Sequence, residues 1–330
     1  MPTRPSQRCA DPSMYTTAFE LVGSSSAMTA VRGYIGKVAR TDASVLISGA
    51  TGTGKELVAE AIHRASPRRA SPFISVNCAA IPDSLLESEL FGYERGAFTG
   101  ADEAYPGKLR LADHGTVFLD EIGEMSRLGQ AKILRVLENR EIFPLGARRT
   151  SKIDVRFVAA TNQDLEPMVQ GKTFREDLYF RLNVARLYLP RLRERPEDIP
   201  ELFSHFIRMF NSQHGANVQP PTPELADRLL AYEWPGNVRE LRNCVEAVFI
   251  DPPPGPIGVD DLPEPFRRIF GSYHVTPGSE RDAIISALSR TNWNKKLAAR
   301  ELHWSRMTLY RKLEKHKIVV TSDTDRDTHQ

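Results

Sequence analysis

Residues 44–66 read SVLISGATGTGKELVAEAIHRAS, and this stretch decides the fold. An apolar run of the kind that fills a buried strand ends at Ser48. A turn with glycine at positions 49, 52 and 54 follows, and then an amphipathic helix pattern opening on Lys55. The glycines permit backbone angles and close approaches that side chains would block. The amides of Gly52, Thr53 and Gly54 are therefore expected to point at phosphate oxygens from the positive end of the helix. Lys55 is placed to reach β- and γ-phosphates. Nucleotide contact is expected from Gly49, Ala50, Thr51, Gly52, Thr53, Gly54, Lys55, Glu56 and Leu57. Glu56 stands where such loops usually carry the Ser or Thr that helps hold Mg2+, which shifts expected metal binding towards carboxylates downstream.

Further apolar runs lie around the loop: PFISVNC (72–78), TVFLDEI (116–122) and VRFVAATN (155–162), each followed by helix-like sequence. This alternation predicts an α/β domain with a parallel sheet flanked by helices, over residues 19–190. From LPRLRERPEDIP (189–200) the pattern turns helical and predicts a small helical domain over 191–263. DPPPGPIG (251–258) and LPEP (262–265) break it, and residues 264–278 are expected to be a linker. The segment 279–320 is helical again and basic, and residues 1–18 and 321–330 are expected to be disordered tails.

HGTVFLDEIGEM (114–125) sets Asp120 and Glu121 at a strand end near the phosphate loop. That pairing predicts Asp120 as the Mg2+ ligand and Glu121 as the base that polarises the attacking water. Asn162 ends another strand, where it is expected to sense the γ-phosphate. Asn77, ending FISVN, is expected to hydrogen-bond Glu121, with a plain strand-end cap as the alternative. The Asn-Lys-x-Asp run of guanine readers is replaced by TNQD (161–164), which favours ATP.

Six motifs occur in one order: GATGTGKELVAEAIH (49–63), ESELFGYERGAFTGA (87–101), GTVFLDEIGEM (115–125), FREDLYFRLNV (174–184), LPRLRERPEDI (189–199) and WPGNVRELRN (234–243). Together they closely resemble the AAA+ domain of sigma-54-dependent transcriptional activators, bacterial enhancer-binding proteins that use ATP to remodel promoter-bound RNA polymerase. The resemblance implies an AAA+ P-loop NTPase with a helical lid. It implies a hexameric ring when active, and a sigma-54 contact through Gly96, Ala97, Phe98, Thr99, Gly100 and Ala101. Gly96 and Gly100 are expected to make that hexapeptide a mobile tip whose Phe98 has no local core to pack into. Arg175 and Arg181 match the arginine fingers that enter a neighbouring subunit's site. From the residues alone they are equally helix-surface arginines paired with Glu176 or Asp177. In WPGNVREL, Asn237 is expected to cap the lid helix, with Glu240 completing a capping box. Arg239 then projects from the first turn, where a cation is unfavourable, and is expected to be a second ATP sensor.

The net charge is +2, but it is unevenly spread. Between Arg281 and Lys317 ten Lys/Arg face three acidic residues, a local excess of seven, which leaves the rest of the chain near −5. Concentrated positive charge is the footprint of a polyanion partner. The segment resembles the Fis-type helix-turn-helix of the same activators, which implies double-stranded enhancer DNA as partner. Ser279 and Ser305 are expected to cap its helices. Ile284, Ile285, Leu288, Leu297, Ala298, Leu302, Leu309 and Leu313 are expected to face inward, and His303 sits where the family commonly has glycine. Arg306, Met307 and Thr308 are expected near base edges, and Arg311, Lys312 and Lys315 on phosphates.

Three scattered cysteines (Cys9, Cys78, Cys244), no membrane-length apolar run and no signal-peptide pattern point to a cytoplasmic protein without a membrane partner. About 18 residues precede the ATPase pattern, too few for a sensing domain. Either the sequence is a piece of a longer chain, or control is expected in trans, from a separate regulatory protein or through abundance. The competing readings are a DNA-binding regulator with a vestigial nucleotide site and a different AAA+ machine such as a helicase loader.

Overall fold

The computed structural model describes residues 21–271, together with 284, 287, 288, 291, 294–302, 304, 306–316 and 318. The expected tails, Ser279, Ile285, His303 and Ser305 lie outside the described residues. The chain divides into two compact units, one up to Pro263 and one from Glu264.

The first unit is built on a five-stranded sheet. Its strands are β1 (Val45–Ser48), β2 (Phe73–Asn77), β3 (Thr116–Asp120), β6 (Arg156–Thr161) and β7 (Ala185–Tyr188), in the order β2-β3-β6-β1-β7 and parallel throughout. A small antiparallel ribbon, β4 (Glu141–Ile142) with β5 (Ser151–Lys152), stands apart. Side chains alternate across the sheet. Val117, Leu119, Phe157 and Ala159 pack to one face with Ile133, Leu137, Leu178 and Leu182. Phe118, Val158, Val45 and Ile47 pack to the other with Met28, Val31, Val58 and Ile62. The helices covering the sheet are α1 (Ser26–Val38), α2 (Lys55–Arg64), α3 (Asp83–Phe91), the one-turn α4 (Lys108–Leu111), α5 (Arg127–Asn139), α6 (Leu165–Gln170) and α7 (Glu176–Leu182). With both faces covered, the middles of the central strands are continuously apolar, as a parallel sheet requires, and the polar residues stand at their ends.

Register places the functional edge. Ser48 pairs with Thr161 and Tyr188, and Asn77 with Asp120. The carboxyl ends of the strands therefore line up. From β1 the chain crosses to the far edge before returning, which opens a crevice at that end of the sheet.

The lid consists of α8 (Asp198–His214), α9 (Pro223–Ala231), α10 (Asn237–Val248) and the short pair β8 (Gln219–Pro221) and β9 (Pro256–Ile257). Ile199, Leu202, Phe203, Phe206, Ile207 and Phe210 are the buried stripe of α8. Trp234 is 1% exposed and its indole N–H donates to the Leu229 carbonyl at 2.8 Å. The expected capping box at α10 is only half present. Glu240 accepts from the Gly236 amide at 2.8 Å, but the cap position is Gly236 and the side chain of Asn237 leaves the helix altogether.

In the second unit, α11 (Glu264–Gly271) is a helix at the start of the segment read as a linker, with Phe266 stacked on Phe270. The helices Lys295–Glu301 and Arg306–Lys315 close on a core of Ile284, Ala287, Leu288, Ala298, Ala299, Leu309 and Leu313. Leu297 is not part of it. It is 48% exposed, and Ala299 takes the inward place instead.

Candidate functional site

The turn after β1 wraps the start of α2, as the glycine spacing predicts. Gly52 and Gly54 have φ of +78° and +105°. A Cβ on Gly49 would stand 2.8 Å from the Leu189 carbonyl, and one on Gly52 2.3 Å from that of Gly236, so both sites exclude side chains. Beside the loop lies a cavity of about 500 Å3. Gly52, Gly54, Lys55, Glu56, Asp120 and Glu121 form its polar wall, and Leu21, Val22, Met28, Leu202, Phe206 and Met209 its apolar one. One polar and one apolar wall suit a phosphate tail joined to a flat heterocycle.

Lys55 is 6% exposed and donates to the Gly49 carbonyl and to Glu121 Oε1, both at 3.2 Å. The second Glu121 oxygen accepts from the Asn162 amide at 3.0 Å, and Asn162 Nδ2 donates to Thr51 Oγ1 at 2.9 Å. Lysine, carboxylate, strand-end asparagine and loop threonine thus form one connected network. Glu121 has a left-handed backbone, φ +50° and ψ +50°. That conformation is uncommon away from glycine and characteristic of functional sites.

Asp120 Oδ1 accepts from the Glu121 amide at 3.1 Å. Burial raises its carboxyl above the ordinary value, Glu121 adds to the rise, and Lys55 opposes it. The carboxylate of Asp120, with Glu56 lining the same cavity, fits Mg2+, which takes one or two carboxylates and fills its shell with water and phosphate. Among the described residues no cluster of three or more His, Cys, Asp or Glu offers an all-protein metal cage.

Other residues fall differently from expectation. Asn77 Oδ1 turns back to accept from the amides of Ala79 (3.0 Å) and Ala80 (3.1 Å). The expected bond to Glu121 is replaced by this strand-end cap. Arg175 forms a fork with Asp177, Nε–Oδ1 3.0 Å and Nη2–Oδ2 2.7 Å, and Arg181 is exposed. Neither is among the described residues lining the chain's own cavity, whereas Arg239 is. The sequence pattern missed Asn237 as a bridge. It is 2% exposed, and its Nδ2 donates to the Thr51 carbonyl at 2.9 Å.

The hexapeptide is a compact turn on an aromatic base. Gly96 donates to the Ala101 carbonyl at 2.9 Å, and Gly96 and Gly100 have φ of +80° and +98°. Phe98 is 45% exposed, yet it does have a local partner. Its ring meets Tyr93 edge-on at 4.9 Å, and Tyr93 bridges to Tyr105 and Leu145. Thr99 and Gly100 are exposed, and Ala101 is buried.

In the second unit, Arg306 opens the last helix. Met307 is 78% and Tyr310 48% exposed, with Arg311 also on the surface. The Lys312 ammonium lies 4.6 Å above the Trp304 ring and that of Lys295 5.5 Å above Tyr310. Asn294 caps the preceding helix through the amides of Lys296 and Leu297.

Residues 21–188 match the model of the sigma-54 interaction domain, 193–272 that of the AAA+ ATPase lid domain, and 278–316 that of bacterial regulatory proteins of the Fis family. The chain belongs to the sigma-54-dependent transcriptional activators. The activator is 44% identical over 310 residues to the transcriptional regulatory protein ZraR of Salmonella typhimurium, covering 92% of this chain and 70% of that protein. It is 43% identical over 326 residues to the DNA-binding transcriptional regulator NtrC of the same species, covering 89% and 70%. NtrX from Brucella abortus, solved in complex with ATP, superposes at a TM-score of 0.71 with 36% identity, covering 93% of this chain and 71% of that one. The activator is thus an AAA+ P-loop NTPase with a lid and a Fis-type DNA-binding helix-turn-helix. No helix among its described residues is long and apolar enough to cross a membrane.

Proposed function

We propose that this activator binds enhancer DNA through its Fis-type unit and hydrolyses ATP in the cleft beside residues 49–57. We further propose that it assembles as a hexameric ring which uses that hydrolysis to convert the closed sigma-54 polymerase complex into an open one. The observation that carries the reading is the connected network Lys55–Glu121–Asn162–Thr51 at the end of the parallel sheet. A vestigial site has no reason to keep a strained, partly buried glutamate between a lysine and a strand-end amide.

In this reading the loop amides and Lys55 hold the phosphates, and Glu121 takes a proton from the attacking water. Lys55 must leave Glu121 for the phosphates, which frees the carboxylate as a base. Asp120 would hold Mg2+ where that ion binds, and the ion would supply charge neutralisation on the phosphate oxygens. Asn162 carries any displacement of the γ-phosphate to both Thr51 and Glu121. Arg175 and Arg181 act on the neighbouring subunit's nucleotide, and Arg239 reports on it from the lid. Phe98 and Thr99 contact sigma-54 when the nucleotide state raises the tip. NtrX of Brucella abortus, whose fold this chain shares, was solved with ATP, which supports the choice of base.

The test is transcription in vitro from a sigma-54 promoter carrying an upstream binding site. Open complexes are expected with ATP and sigma-54 polymerase, and none with a non-hydrolysable analogue or with the housekeeping polymerase. Open complexes that form without hydrolysis would remove the ATPase from the mechanism.

A further inference from the structure

Three consecutive carbonyls of the phosphate loop are held from the lid side. Asn237 Nδ2 donates to Thr51 O at 2.9 Å, the Arg239 amide to Gly52 O at 3.2 Å, and Arg195 Nη2 to Thr53 O at 3.4 Å. A trans peptide plane fixes the next residue's N–H opposite to its own C=O. Holding carbonyls 51, 52 and 53 therefore aims the amides of Gly52, Thr53 and Gly54 away from the lid donors. These are the three amides assigned to phosphate. Of them, Thr53 makes a long turn bond of 3.4 Å to the Ala50 carbonyl.

Each holding group is itself braced. Asn237 adopts φ +53°, a left-handed angle that Asn tolerates, and its Oδ1 accepts from the Leu192 amide at 2.9 Å. Arg195 is 2% exposed, and burial works against its charge. Asp198, fully buried, sustains that charge from 3.6 Å. The carboxylate of Asp198 accepts in turn from the amide and the hydroxyl of Ser25, both at 2.8 Å. Gly52 completes the arrangement, since any Cβ there would strike the Gly236 carbonyl.

We propose that Asn237 and Arg195 are positioning residues of the nucleotide site: from the lid side they hold the carbonyls whose peptide planes aim the phosphate-loop amides. Phosphate affinity is then tied to the place of the lid, because a lid that shifts releases the peptide planes. The proposal rests on the reading that the cleft binds ATP, and its test separates the two.

Fluorescence titrations of the full chain with mant-labelled AMP, ADP and ATP are compared for wild type, Asn237→Asp and Arg195→Lys. Asn237→Asp keeps the acceptor for Leu192 and the tolerance of the left-handed angle but loses the donor to Thr51. Arg195→Lys keeps a cation for Asp198 but loses the fork. The expected result is a loss that grows with phosphate number, to about ten-fold for ATP, the size of one lost hydrogen bond. In steady state KM for ATP rises while kcat is largely retained, the signature of lost uniform binding. Should Asn237→Asp fail to fold, Asn237→Gly, which suits the same backbone angle, takes its place. Equal losses for all three nucleotides, or none, would overturn the positioning role while leaving ATP binding intact. Wild-type protein that binds none of the three would bring down the ATP reading and this proposal with it.

Discussion

At the residue scale, Glu121 carries the most weight. Its backbone sits in a conformation that glycine would adopt more readily, and its two oxygens are shared between the Lys55 ammonium and the Asn162 amide. Glu121→Gln keeps the shape and removes the base. Turnover is expected to fall by about 10²–10⁴-fold while ATP binding persists, measured by phosphate release and by nucleotide titration. Continued hydrolysis would take the water-activating role from Glu121. The placement of Asp120 and Glu121 at a strand end beside the phosphate loop was legible in the sequence, because the apolar run before them marks a buried strand and the carboxylates its end. Asn77 was not. A strand-end asparagine can always reach amides two and three residues on, and here that local bond wins over the longer reach to Glu121. Asn237 misled for a related reason. With Glu240 three positions later it spells a capping box, but its Oδ1, the atom a cap would use, accepts instead from the Leu192 amide, and its Nδ2 donates to the phosphate loop.

Among the elements, the hexapeptide turn shows how a small loop is both anchored and exposed. Gly92 and Gly107 cross so closely that a Cβ on either would stand 2.2–2.3 Å from the other strand's backbone, and Tyr93 and Tyr105 pair above the crossing. Phe98 leans on Tyr93 with nearly half its surface free, a resting contact that can be exchanged for another apolar partner. Thr99→Ala leaves this base untouched. It is expected to retain most ATP hydrolysis and to abolish open-complex formation, read by permanganate footprinting beside an ATPase assay. Equal loss of both would make the loop structural.

A second element-level prediction concerns Arg68, which ties Asp42 (3.0 Å) and Asp154 (2.8 Å) together at the opposite end of the sheet. Its hydrogen bonds hold both carboxyls below their ordinary value of 3.8. Depressed acid pKa values stabilise the fold above the ordinary value, and that contribution is lost as pH falls through the lowered ones. Both aspartates are more than half exposed, so solvent screening keeps the effect small. The Tm difference between wild type and Arg68→Ala should therefore be modest at neutral pH and should shrink as pH drops below 3.8. Strands β1, β2, β3 and β6, with α2 and α8, were legible from their apolar patterns, whereas the edge strand β7 was not among the runs read as strands. The helix Lys295–Glu301 was legible too, but its inward face only in part: Ala298 is buried as expected, while Ala299, about 100° round from it, takes the place expected for Leu297.

For the whole molecule, the question is which subunit's nucleotide the arginines proposed as fingers would serve. Arg175 and Arg181 are not among the described residues lining their own chain's cavity. In sequence they stand near exposed Phe180 (65%) and Val184 (63%), and Tyr188 on edge strand β7 is exposed as well (56%). On the proposed function these two arginines would meet the next subunit's ATP across a head-to-tail contact. Arg175 is held in its resting place by the fork with Asp177, which it would exchange for phosphate there. A mixing experiment decides the matter. Lys55→Ala subunits have a crippled site and sound fingers, while Arg175→Ala subunits have the reverse. Each alone is expected to be nearly inactive. Mixed in equal amounts, they would pair a sound site with a sound finger at about one interface in four if the proposed ring is built from heterologous contacts. ATPase activity should therefore reappear on mixing, at a fraction of the wild-type rate. If the arginines instead served their own chain's nucleotide, every subunit in the mixture would still carry one defect, and the mixture would be as inactive as its parts.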